Sequence, residues 1–307
     1  MPELFSYLQT RVDEADSPGM YVLTGSQIFL MLRSISQSLA GRVGVLSLLP
    51  FTLEEMKNGG FTPQSAEKWL VQGCYPRAIT RGIAPDVFYS DYLHTYIERD
   101  VRNETAVRDL SRFRVFLTAC AAKVGTLINL NDIGRDIGAD ARTISTWLLI
   151  LEESYVIFRL TPYYSNVGNR HTKTAKLYFY DTGLLCALLG IESDSMVAKS
   201  AFLGRIFENA VIAEKQKKIF NEGKSPRMYF WRDNADKERE IDLLVERAHN
   251  HLDLFEIKSS MTANRSYLGT MRKFEEKTAA NCTLYVIYRG EDHISSEGPS
   301  FINWQSL

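Results

Sequence analysis

The chain has no Gly-x-x-x-x-Gly-Lys-Ser/Thr anywhere in its 307 residues, so the backbone nest and lysine that cradle nucleotide phosphates are missing from it. No apolar run approaches the roughly 20 residues of a membrane helix. The first residues lack the basic-then-apolar pattern of a leader, and no membrane partner is expected. The 4 cysteines, Cys74, Cys120, Cys186 and Cys282, stand far apart without a Cys-x-x-Cys pair. That excludes a zinc knuckle and a disulfide framework, and it predicts buried thiols in a reducing cytoplasm. Neither sign of charge is in excess. A net charge of −1 gives no global pull toward nucleic acid, so any such contact must come from a local basic patch. What is present is globular composition, 45% hydrophobic and 24% charged, enough for a real core and for about two or three domains.

Against that background one stretch carries chemistry. Glu240-Ile-Asp-Leu-Leu-Val-Glu is followed by a polar turn and then by Leu252-Asp-Leu-Phe-Glu-Ile-Lys258, which reads as a β-hairpin. Period-two alternation sets Ile241, Leu243 and Val245 against Asp242 and Leu244. On the second strand it sets Leu252, Leu254, Glu256 and Lys258 on one face, with Phe255 and Ile257 on the other. A carboxylate and an ammonium at the end of an apolar strand are costly unless they pair, bind a metal or do chemistry. Two carboxylates, Asp242 and Glu256, with the Ile257 carbonyl form a hard oxygen set suited to Mg²⁺. Such a metal would polarise a phosphodiester and activate a water, with Lys258 placing that water or stabilising developing charge. Upstream, Gly204–Glu214 has helical spacing and offers Glu208 to the same spot. A Glu-x-Lys on a strand is also what a solvated salt bridge looks like, and that alternative stays open here.

The order helix with Glu208, strand with Asp242, strand with Glu256-x-Lys258, helix (Tyr267–Lys277), strand (Thr283–Tyr288) resembles the restriction-endonuclease-like fold. Domains of that fold include both nucleases and pure binding modules. Short words along the chain carry a second resemblance: Pro2-Glu-Leu-Phe, Leu23-Thr-Gly-Ser, Leu39-Ala-Gly-Arg-Val, Leu48-Leu-Pro-Phe, Tyr75-Pro-Arg-Ala, Tyr96-Ile-Glu-Arg-Asp-Val, Tyr180-Asp-Thr-Gly-Leu, Trp231-Arg and Glu240-Ile-Asp. In that order the chain resembles the prokaryotic AAA-type ATPase family with a C-terminal domain of unknown function 4143, here without its P-loop half. The resemblance implies that Thr24 and Ser26 match the strand that senses the γ-phosphate, and that Arg42 sits where it would contact phosphate. The phosphate cradle and Mg²⁺-holding carboxylate of that family fall ahead of Met1, which reads as an internal methionine. ATP is therefore expected only with a full-length form, and nucleotide binding by this chain alone is not.

The N-terminal pattern is helix (Pro2–Asp13), strand (Met20–Ser26), helix (Ile28–Leu39) and strand (Gly41–Thr52), a partial parallel α/β sheet. Residues 51–103 have helical spacing broken by Gly59-Gly60, Pro63, Gly73, Pro76 and Pro85. From Phe113 to Tyr180 the pattern is three helices and a hairpin, a winged helix-turn-helix. Its recognition helix would offer Arg142, Thr143, Ser145 and Thr146 to a groove. Its wing would offer Arg170, His171, Lys173 and Lys176 to phosphates. The same module serves equally as a protein-contact or lid element. Asp181-Thr-Gly-Leu reads as a helix start and hinge, and Ser193–Ser200 as a linker.

The expected whole is an α/β multidomain chain. It comprises a partial AAA-type core at 1–55, a helical lid-like region at 56–105, a winged helix at 106–190 and a restriction-endonuclease-like domain at 195–307. DNA or RNA is the expected partner, with homo-oligomers open. Three functions remain in view: a DNA-associated member of the ATPase family, a Mg²⁺-dependent nuclease, and a non-catalytic binding module.

Overall fold

The computed structural model describes residues 2–15, 17, 19–24, 43–96, 107, 109–164, 174–233, 236, 239–247, 250–296 and 298–307. One seven-stranded mixed sheet organises the C-terminal half. Its strands are β1 (Ile157–Pro162), β2 (Lys176–Phe179), β3 (Met228–Arg232), β4 (Glu240–Glu246), β5 (His251–Ile257), β6 (Asn281–Tyr288) and β7 (Ser300–Asn303). The order is β2-β1-β3-β4-β5-β6-β7. The expected hairpin is formed, with Leu243 opposite Phe255 and Leu244 opposite Leu254. Its alternation sorts the core as anticipated, with Leu243, Phe255 and Ile257 in one cluster and Leu252 and Leu254 in another.

Two features depart from the sequence pattern. Between the pairs Tyr229–Leu244 and Trp231–Ile241, β3 advances two residues while β4 advances three. That bulge lets Ile241 and Leu244 share one cluster and breaks strict alternation around Asp242. Second, β1 and β2, the strands flanking the expected wing, do not stand alone. They pair antiparallel with each other, and β1 also pairs parallel with β3. The hairpin therefore extends the C-terminal sheet.

Helices cover both faces. A 19-residue helix, Leu203–Asn221, lies between one face of the sheet and a helical layer. Because it is covered nearly all round, its buried polar side chains each need a partner. Asn209 exchanges two hydrogen bonds with the Phe179 backbone, at 2.7 and 2.9 Å. Gln216 donates to the Tyr180 hydroxyl. Glu214 accepts from Leu53 N–H at 2.8 Å, and Lys217 donates to the Phe51 carbonyl at 2.6 Å. The opposite face is covered by the short helix Gly269–Glu275, through Met271 and Phe274.

The helical layer comprises Leu53–Asn58, Ala66–Gln72, Pro76–Arg81 and Pro85–Tyr96. Three further helices, Leu110–Ala122, Leu130–Ile137 and Ala141–Glu153, precede β1, with Asn129 capping the second as expected. Gly134 lets the turn between the last two close, since a Cβ there would lie 2.4 Å from the Ala139 carbonyl oxygen. Asp181 starts the helix Thr182–Leu188 as expected, capping it with its side chain. Buried, it accepts from Cys74 N–H at 2.6 Å, the Tyr89 hydroxyl at 2.7 Å and Leu184 N–H at 2.8 Å. Residues 193–200 are not an open linker: Ser193 caps a helix, Asp194–Lys199, whose Val197 is fully buried.

The N-terminal third differs most from expectation. The helix Pro2–Ala15 is present, but residues 19–24 and 43–52 form no strand. Val22, Val45, Leu46 and Leu48 are exposed. A parallel strand needs neighbours on its edges and cover on its faces; among the described residues these segments pair with no strand, and only the end of the second, at Leu49 and Thr52, is buried. The expected helix Ile28–Leu39 lies outside the described residues.

Candidate carboxylate site

The site is assembled from the long helix and the ends of two adjacent strands, β4 and β5. Glu208 projects from the first half of Leu203–Asn221, Asp242 from the bulge in β4, Glu256 from the end of β5, and Lys258 from just beyond it. The Lys258 ammonium lies 2.5 Å from Glu256 Oε1 and 3.8 Å from Asp242 Oδ2. Both carboxylates therefore reach one cation-sized point. Asp242 Oδ2 also accepts the Ile257 N–H at 2.7 Å, which fixes its carboxylate across the hairpin. Among the described residues the buried Glu256 Oε2 atom has no hydrogen-bond partner.

Glu208 belongs to an adjoining cluster. Its Oε1 accepts the Tyr178 hydroxyl at 2.5 Å and lies 3.5 Å from Lys176 Nζ. Lys176 also pairs with Glu240, which takes Arg232 at 2.8 Å. Lys176 was expected on an exposed wing facing phosphates. Instead its side chain is only 3% exposed, because β2 lies against the buried helix and its ammonium is consumed by two carboxylates. Tyr178, Glu240 and Arg232 were not anticipated. Only Glu240, two residues before Asp242, gave any local signal.

Burial first, then the nearby Asp242 carboxylate, pushes the Glu208 carboxyl up to about 7. The same two causes push Glu256 up to about 8, with Lys258 opposing. Burial works against the charge on Lys176, yet Glu208, Glu240 and Asp242 outweigh it and hold its pKa above the ordinary lysine value. Lys258 is raised in the same way by Asp242 and Glu256 against its burial. The cluster thus holds more negative charge than its burial favours, a condition that a divalent cation relieves.

Among the described residues no group of three His, Cys, Asp or Glu side chains is close enough to hold a metal. Glu208 therefore does not complete a three-carboxylate cage. A cation here would rest on Asp242 and Glu256. Oxygen donors, an unpartnered buried Glu256 Oε2 and two raised carboxyls fit Mg²⁺ or Mn²⁺, which keep several waters when few protein ligands are offered.

The residues expected to contact nucleic acid or nucleotide are placed as follows. Arg142 is exposed at the start of Ala141–Glu153 and Thr143 is half-buried beside it. Asp140 caps that helix through Thr143 N–H. The Thr146 hydroxyl donates to the Arg142 carbonyl of its own helix. Thr24 is exposed on a segment without regular structure. Arg170, Lys173, Ser26 and Arg42 lie outside the described residues.

No helix among the described residues is long and apolar enough to cross a membrane. Three family models match along the chain: an AAA domain over residues 1–57, a domain of unknown function (DUF8612) over 63–195 and a domain of unknown function (DUF4143) over 203–307. Two uncharacterized proteins, one of Mycobacterium bovis and one of Mycobacterium tuberculosis, are each 28% identical over 292 residues. The match covers 95% of this chain and 63% of each relative. No solved structure matches. The third match begins at the start of the long helix, so Glu208, Asp242, Glu256 and Lys258 fall inside it while Lys176 and Tyr178 come from the segment before. Segment by segment, the chain is similar to an AAA domain followed by two domains of unknown function, the last of which carries the carboxylate site.

Proposed function

We propose that the chain is a divalent-cation-dependent phosphodiesterase acting on nucleic acid, with a restriction-endonuclease-like C-terminal domain. The observation that carries this is the meeting of Asp242 and Glu256 at the Lys258 ammonium, with one buried Glu256 oxygen left unpartnered. Asp242 and Glu256 would hold the cation, with the Ile257 backbone beside them. When bound, it would supply Lewis-acid polarisation of a phosphate and an activated water. Lys258, beside both carboxylates, would stabilise charge developing on the phosphate. Glu208, with a pKa near 7, can take or give a proton near neutrality, and the Tyr178 hydroxyl holds its carboxylate in one orientation.

The test is cleavage of labelled single-stranded, duplex and branched DNA with Mg²⁺ or Mn²⁺, comparing wild type with Asp242→Ala and Lys258→Ala. We expect each substitution to lower the rate at least about a hundredfold. Equal activity in all three would mean that the cleavage comes from elsewhere.

A second reading has a specific observation behind it: Lys258 and Lys176 already neutralise part of the cluster, as they would in a site that only binds. Salt-sensitive DNA binding that survives Asp242→Ala, without cleavage by wild type, would select it. The partial AAA segment and the three-helix unit ahead of β1 support a place beside nucleic acid in a larger ATPase assembly. For residues 1–307 alone, no ATP binding is expected.

A further inference from the structure

A second concave surface lies at the other end of the β4–β5 hairpin. Where the last turns of the long helix, the start of β3 and the β4–β5 turn meet, a cavity of about 750 Å³ opens. Lys215, Lys218, Lys224, Arg227 and Arg247 line it, over an apolar floor that includes Phe255. Three carboxylates share the lining, Glu222, Glu246 and Asp253. Asp253 is committed to Arg247 and Glu222 to Lys224, at 2.7 Å. Lys218 reaches Glu54 at 3.6 Å. Among the described residues, neither Lys215 nor Arg227 has a carboxylate within ion-pair reach.

Lys215 is the informative one. Its ammonium sits 5.1 Å above the Phe255 ring. Burial first, then the neighbouring Lys218 and more weakly Arg247, push its pKa down to about 8, against the opposing pull of Glu214 and Asp253. A partly buried ammonium repelled by two other cations is costly unless an anion arrives to share it. Arg227, exposed at the rim, offers the planar fork that matches phosphate oxygens.

We propose that this groove binds phosphate groups, with Lys215 and Arg227 making the direct contacts and a nucleic-acid strand as the ligand. The helix rises about 10 Å from Glu208 to Lys215, and β5 covers about 10 Å from Asp253 to Glu256. The groove thus lies about 10 Å along the helix from the carboxylate site. The choice of a polymer over a small phosphate rests on the proposed phosphodiesterase function, whereas phosphate binding itself does not.

The experiment is anisotropy of a labelled single-stranded oligonucleotide at low salt with EDTA present, so that hydrolysis plays no part. Wild type should bind, and affinity should fall steeply with salt. Arg227→Glu and Lys215→Gln should each weaken binding about tenfold and flatten the salt slope by about one. Pyrophosphate that displaces the oligonucleotide at micromolar concentration would assign the groove to a small phosphate compound, and failure to displace would assign it to the polymer. Wild type that binds neither, or groove variants that bind as wild type while melting normally, would overturn the proposal. Because EDTA is present, this outcome is read apart from the cleavage assay.

Discussion

Glu208 and Glu256, with carboxyl pKa values near 7 and 8, make the protein's stability depend on pH in a defined direction. A carboxyl raised above its unfolded value of about 4.5 contributes stability that is complete below that value and is lost as pH rises through the folded value. Lys176 and Lys258 are raised as well and so act in the same direction, but only near and above the ordinary lysine value of 10.5, outside this window. Without divalent cations, the free energy of unfolding, and with it the melting temperature, should therefore fall between about pH 5 and pH 8, the free energy by an amount on the order of a few kcal/mol shared by the coupled pair. Glu256→Gln should flatten part of that fall, and thermal unfolding across the range checks it. Asp242, Glu256 and Lys258 were legible in the sequence because strand periodicity alone sets which residues share a face. Lys176 was not. As one cation in a basic loop-like run it looked exposed, and only its distant partners Glu208 and Glu240 explain its burial.

The long helix Leu203–Asn221 shows how one element binds three layers. Its apolar residues say that it is buried, but not that Glu214 and Lys217 are buried too, at 0% and 2% exposure. Their ion pair of 3.2 Å, with bonds to Leu53 N–H and the Phe51 carbonyl, pins the start of Leu53–Asn58 to the centre of the molecule. Lys217→Met should leave a buried, unbalanced Glu214 and cost about 3–5 kcal/mol, whereas Glu214→Leu with Lys217→Met should recover most of the loss. Urea unfolding of the two variants and wild type measures both. If the single and double variants were equally unstable, the pair would not be what pins the helix. The β4 bulge is the counterpart among strands. Nothing in Ile241-Asp-Leu-Leu announces it, because it arises from a register mismatch with β3 and not from a residue type such as glycine.

At the scale of the molecule, the helical unit ahead of β1 and the sheet behind it were expected as separate domains, yet β1 pairs with β3 and makes one sheet of them. Sequence patterns give faces and periods. They do not give which strand edges meet. A fragment of residues 203–307 would expose the β3 edge and leave Asn209 without the Phe179 backbone it bonds. It should lack a cooperative thermal transition, while residues 1–307 melt in one. A fragment melting cooperatively near the temperature of the whole chain would contradict this. The N-terminal third marks the other limit of pattern reading. Its apolar runs at Met20–Thr24 and Val43–Leu49 have strand composition, but they form strands only where other strands lie beside them.

The account rests on a cation site built from Asp242 and Glu256, and calorimetric titration with Mn²⁺ at pH 7 tests it most directly, in two buffers of different ionisation enthalpy. Wild type should bind one ion and release protons as it does so, because Glu208 and Glu256 are partly protonated there. Asp242→Asn should abolish both the heat and the proton release. Mn²⁺ binding that is absent from wild type, or unchanged in Asp242→Asn, would contradict the site.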